Sequence, residues 1–175
     1  MTFQIFKNRS LAIVLFLMAS VSLSAQSSMQ ELIGQSLSHL QQPTPEAFIK
    51  CISELKRIDA MFPDSVQPKH QMALQSLNFA VMNPHAEQTE NVLAEAVEAI
   101  SQLEKMKAAD PSDICTLKGF LSMVRIVQNP AQNGQRYYLD VLQNYEKALN
   151  LNPDNALAQA LQQKFMEGMK QTTQQ

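Results

Sequence analysis

The sequence predicts an all-α fold, a stack of antiparallel helix hairpins with about seven helices. Three observations predict it. Apolar residues recur at spacings of three and four along most of the chain. Prolines flanked by Asn, Asp, Gln or Ser interrupt that pattern at Pro43, Pro63, Pro84, Pro111, Pro130 and Pro153. No stretch shows the alternation of a half-buried strand. Short connections between such helices make sequential neighbours antiparallel.

The first segment reads as a leader. Lys7 and Arg9 form a basic start, Leu11 to Leu23 is an apolar run, and Ser24-Ala25-Gln26 offers a small residue at a cleavage edge. This is the pattern of a secretory signal peptide over residues 1–25, although Leu23 is larger than the ideal three places before the cut. The rival reading is an uncleaved anchor. The run is roughly 13 residues, and a span needs about 20. No cysteine at the cut marks a lipid anchor. After cleavage, no stable membrane insertion is expected.

Residues 26–175 are enough for a single helical domain with one core. All sixteen acidic residues lie in it with twelve of the fourteen basic ones, so its net charge is −4. Nucleic-acid binding needs clustered Lys and Arg and is not expected. Cys51 and Cys115 invite a disulfide in an exported chain. The preferred reading is two free, buried, small apolar groups, because they fall on non-neighbouring helices.

Helix one begins at the capping box Ser28-Met29-Gln30-Glu31 and carries Met29, Leu32, Ile33, Leu37 and Leu40. Thr44-Pro45-Glu46 starts helix two with a hydroxyl cap, a first-position proline and an acid at the positive dipole end. Its face is Phe48, Ile52, Leu55, Ile58 and Phe62, and Pro63-Asp64-Ser65 stops it. Helix three spans Val66 to Met82, with Pro68 in its first turn. Met72, Ala73, Leu77, Ala80 and Val81 face inward, and 83–88 is a break. Helix four runs from Thr89 to Ala108 with Val92, Leu93, Ala96, Ile100, Leu103 and Met106 inward.

Asp110-Pro111-Ser112-Asp113 is a combined stop and start. Helix five, Asp113 to Gln128, uses Ile114, Leu117, Phe120, Leu121 and Val124. Residues 129–136, with Asn129, Pro130, Asn133 and Gly134, read as the clearest loop, since Asn-Gly is a strong turn signal. Helix six follows from Tyr137, with Val141, Tyr145 and Ala148 on one face. Asn152-Pro153-Asp154-Asn155 separates it from helix seven, which carries Leu157, Leu161, Phe165 and Met169. The polar tail 170–175 is expected to fray.

A weak repeat emerges on counting back from three prolines. Five, eight and twelve residues before Pro153 stand Ala148, Tyr145 and Val141; before Pro111, Met106, Leu103 and Ala99; before Pro63, Ile58, Leu55 and Cys51. The periods are 48 and 42 residues. This register resembles the tetratricopeptide repeat (TPR), most specifically over 111–156. The resemblance implies three irregular hairpins with helix seven as a cap. The periods exceed the repeat's about 34 residues, and the extra length is expected at 83–88 and 129–136. Asn129-Pro130, Gly134 and Tyr137 also look like the loop before the last long helix in small exported TPR-like proteins of Gram-negative bacteria. In such a stack, the first helix of each hairpin lines a concave surface suited to a partner segment.

No chemistry stands out. His39, His70 and His85 fit no metal-ligand spacing, and no metal or cofactor is expected. Gly34-Gln35-Ser36-Leu37-Ser38 lacks the second glycine of a nucleophile elbow. There is no phosphate loop or dinucleotide fingerprint. Two of the ten methionines lie in the leader and most of the others fall on core stripes, which favours packing over soft-metal binding. No enzymatic activity is inferred. The candidate partner site is Lys118, Ser122 and Arg125 on helix five, with His70, Gln71 and Leu74 beside them on helix three. It would be a small basic spot for a peptide carboxylate. The sequence thus reads as an exported, periplasmic or secreted, helical-repeat module for a protein or peptide partner. The alternative is a small-ligand binder or chaperone-like holder with an apolar pocket between helices.

Overall fold

A computed structural model describes residues 28–172; residues 1–27, which include the predicted leader, and 173–175 lie outside it. The described chain is all-helical: α1 (28–38), a 3-10 turn His39–Gln41, α2 (Pro45–Met61), α3 (Val66–Met82), α4 (Thr89–Leu103), α5 (Pro111–Gln128), α6 (Pro130–Leu151) and α7 (Ala156–Thr172). No strand occurs among the described residues.

Helix starts are set by local chemistry. Thr44 accepts from the Ala47 amide at 3.2 Å, Asp110 from Ser112 at 2.8 Å, Asn129 from Gln132 at 3.2 Å, and Asn155 from Ala158 at 3.0 Å. The first three are followed by proline at the first helical position, where no donor is lost. Ser28, the first described residue, is already helical.

The helices stack as hairpins. The main contacts join α3 to α4 and α5 to α6, with α2 against α3. Across the hairpins α3 meets α5 and α5 meets α7, while α4 also touches α5 and α6 touches α7. One core runs from Met29 and Ile33 through Leu55, Leu77, Leu93, Phe120 and Tyr145 to Phe165. Each hairpin leaves an apolar face that only its neighbour covers, so the stack, not the single hairpin, is the stable unit.

Two expectations are corrected. Residues 129–136 do not form a loop. Asn129 is the only non-helical residue between α5 and α6. Its backbone N–H donates to Ile126 O while its side chain caps α6. Pro130 then takes the first helical position, and Asn133 Nδ2 donates back to Arg125 O at 2.6 Å. Gly134 is helical, and no described glycine has a positive φ. Asn-Pro is a helix-start signal as much as a turn signal, and here the start prevails. The extra length placed at 129–136 therefore belongs to α6, which has 22 residues.

Helix α4 ends at Leu103, short of Ala108. Residues 104–109 turn, with Met106 still packed on the core. The 83–88 break is non-helical as expected, closed by Thr89 Oγ1 donating to Asn83 O.

Candidate functional site

A groove opens where α1 and its 3-10 turn lie along α2. Leu32, Gln35, Ser36, Ser38 and His39 form one wall; Glu54, Arg57, Ile58 and Met61 form the other. Its volume is about 500 Å³, within the range of about 300–1,000 Å³ typical of small-molecule sites. Helical spacing creates it. Arg57, Ile58 and Met61 stand three, four and seven residues after Glu54 on α2, so one face carries a carboxylate, a cation, an apolar branch and a thioether.

The polar groups of this groove are organised. His39 Nε2 lies 3.0 Å from Glu54 Oε2, which ties the turn to α2. Arg57 sits only loosely against Glu54, at 4.0 Å, with its side chain 75% exposed. Met61, 62% exposed, is the most open large apolar residue described. The floor is Ile58, which belongs to the core, and half-buried Leu32 packs beside it. The arrangement offers an apolar slot, a ring nitrogen and a cation at the rim.

A second depression of about 670 Å³ lies near Lys105 and Lys107, where the 104–109 turn meets the end of α2. Its Lys69 side chain is 7% exposed and ion-paired with Asp59 at 2.6 Å, so that cation is spent on structure. Asp59 and Asp64 further mix the charge there, and the depression is more open to solvent than the α1–α2 groove.

The sequence-derived candidates fall elsewhere. Lys118 pairs with Glu104 at 2.8 Å and Arg125 with Glu90 at 3.1 Å, and Gln128 joins the second pair at both ends. The Gln128 hydrogen bond first, and Arg125 second, hold the Glu90 carboxyl below its usual range. These cations fasten α5 to the α4 hairpin arm and form no free basic spot. Ser122 is half-buried between them. His70 faces a different group, Asp113 at the start of α5; burial lowers the pKa of its ring, the carboxylate opposes this, and its Nε2 is buried without a hydrogen-bond partner. Gln71 accepts from Gln75 Nε2 at 3.2 Å, and Asn78 donates to Gln75 at 3.1 Å, which makes an amide ladder along α3. Leu74 is half-buried against the core.

The repeat positions Leu55, Ile58, Ala99, Leu103, Val141, Tyr145 and Ala148 are buried, Met106 is half-buried, and Pro63, Pro111 and Pro153 are exposed at helix junctions. Cys51 and Cys115 are free and buried, and burial first, then Glu54, pushes the Cys51 thiol up to about 11. Among the described residues no cluster of three or more His, Cys, Asp or Glu could hold a metal ion, and no helix is long and apolar enough to cross a membrane.

Sequence reasoning missed the groove because His39 and Glu54 stand fifteen residues apart on separate elements. One signal was available: Met61 is a large apolar residue off the inward stripe of α2.

No family model and no curated protein matches the chain. Its fold is similar to that of the HusA haemophore from Porphyromonas gingivalis, at 23% identity and a TM-score of 0.66. The match covers 76% of this chain and 65% of the other, so this chain spans about two thirds of that protein's length and the likeness is one of fold.

Proposed function

We propose that this chain is an exported helical-stack carrier whose cargo is a small, largely apolar, planar molecule of the haem class, held between α1 and α2. The observation that carries the reading is the groove itself. Leu32, Ile58 and Met61 supply apolar wall, Arg57 is placed to meet a carboxylate, and His39 supplies a ring nitrogen. The name of the structurally similar haemophore supports the same cargo class. The groove gives the small-ligand alternative firmer local support than the peptide carboxylate site, whose cations are already paired. We read the stack as TPR-like because the first helices α3, α5 and α7 touch in series.

Titration of the purified protein with haemin, followed by absorbance, tests the proposal. A saturable shift of the main porphyrin band at one equivalent is expected. A spectrum indistinguishable from haemin with an unrelated helical protein would reject it.

A second reading rests on the α3 ladder. Gln71, Gln75 and Asn78, with the mutually bonded pair Gln30 and Gln67, set a line of amides across α1 and α3. Amides both donate and accept, so this line suits the main chain of an extended peptide.

A further inference from the structure

We infer that Arg57 is the residue by which the α1–α2 groove selects its cargo: the apolar ring must carry a free carboxylate at its edge, and the same ring without that charge is disfavoured. The inference rests on the haem-class reading above and narrows it to acids. Arg57 is the one Lys or Arg on the groove walls. Other described cations are closely paired: Lys69 with Asp59 at 2.6 Å, Lys118 with Glu104 at 2.8 Å, Arg125 with Glu90 at 3.1 Å, and Lys56 with Glu95. The Arg57 guanidinium stops 4.0 Å from Glu54 Oε1, beyond hydrogen-bond reach, and makes no hydrogen bond to a described residue. Its planar fork of N–H donors matches the two oxygens of a carboxylate.

Helical spacing joins this cation to the apolar wall. Arg57 and Met61 stand four residues apart and are surface neighbours on α2, with Ile58 beside them on the groove floor. The edge of a ring lying on Leu32, Ile58 and Met61 comes within about one helical turn of the guanidinium. Glu54 sets the direction of the acid tail. It carries the same charge as the cargo's carboxylate and precedes Arg57 on α2, whereas Met61 follows it. Repulsion from Glu54 therefore keeps the tail on the Met61 side of the guanidinium. Overall charge gives no such preference. Residues 26–175 carry a net charge of −4, which repels acids, so an advantage for the acid must come from a local cation. The Arg57 side chain is 75% exposed, which makes that advantage modest and sensitive to salt.

The test titrates iron-free protoporphyrin and its diamide, which keeps the ring and loses both charges. Each is added to the wild type, Arg57→Gln, Arg57→Lys and Lys164→Gln, after circular dichroism shows every protein to be folded. Porphyrin fluorescence gives the ratio of the two affinities. The wild type should favour the acid by about three- to tenfold. Arg57→Gln should bring the ratio to one or below. Arg57→Lys keeps the charge but loses the fork, and its ratio should fall between the two. Lys164→Gln makes the same change in charge as Arg57→Gln at an exposed position of α7, at the other end of the stack, and should keep the wild-type ratio. Salt tests the wild type without any substitution. Raising it from about 0.1 M to about 1 M cuts the Debye length from about 10 Å to about 3 Å and should shrink the preference. A wild type that binds acid and diamide equally, or an Arg57→Gln protein that keeps the wild-type ratio, would overturn the assignment and leave the cargo reading intact. A wild type that binds neither would overturn both.

Discussion

Tyr145 and Gly119 show how tightly single residues are fitted. Tyr145 is fully buried, and burial raises its phenol far above the ordinary value. Its ring lies over Gly119, where an added Cβ would stand 2.8 Å from Tyr145 Cε1. Alanine is the better helix former by about 1 kcal/mol, yet the ring cannot retreat from a filled core. Gly119→Ala should therefore destabilise the fold by about 1–3 kcal/mol, measured by urea denaturation; a stabilised variant would show that the ring can move.

His70 sets a pH dependence. Burial lowers its pKa, with Asp113 opposing. A base with a depressed folded pKa binds its proton more readily in the unfolded chain. Its contribution is fully present above the ordinary value of about 6.5 and is lost as pH falls through the folded value. The melting temperature should fall between about pH 7 and about pH 5, and His70→Gln should flatten that slope. An identical slope in the variant would assign the effect to other groups.

At the scale of elements, Asn155 holds three helices together. Its Nδ2 donates to Ser112 Oγ at 2.9 Å, Asp113 Oδ1 at 3.0 Å and Thr116 Oγ1 at 3.3 Å, while its Oδ1 caps α7. Ser112 Oγ in turn donates to Ala148 O at 2.8 Å, which brings in α6. Asn155→Ala removes the cap and strands buried polar groups, so a loss of about 2–4 kcal/mol is expected. Thermal melting matching the wild type would deny the network that role.

What the sequence disclosed at this scale was what is local. Stripes such as Phe48, Ile52 and Leu55 follow from one helix's periodicity and lie in the core. Asn129-Pro130 carried two local meanings, and the Asn129 cap together with the hydrogen bond from Asn133 to Arg125 O favours the helical one. Glu104 and Glu90 stand 14 and 35 residues before the cations they neutralise. Spacing on α5 alone could place Lys118 and Arg125 on one face but could not reveal their partners.

For the whole molecule, stacking leaves two kinds of surface. Hairpins α3–α4 and α5–α6 are locked to one another by core and ion pairs. The outer α1–α2 pair keeps a slot, because α1 gives way to a short turn against α2 and leaves Met61 open. The candidate site therefore lies at one end of the stack, away from the cleanest repeat at Tyr145 to Pro153. The repeat's residues are committed to packing, whereas the groove combines apolar wall with solvent-accessible polar groups.

The most direct test of that placement is haemin titration of the wild type against Gln35→Trp, an exposed wall position at which a larger ring fills the groove without touching the core. Saturable one-to-one binding by the wild type, weakened about tenfold or more in a stably folded Gln35→Trp, is the predicted result. Equal binding by both proteins would contradict the α1–α2 groove as the cargo site.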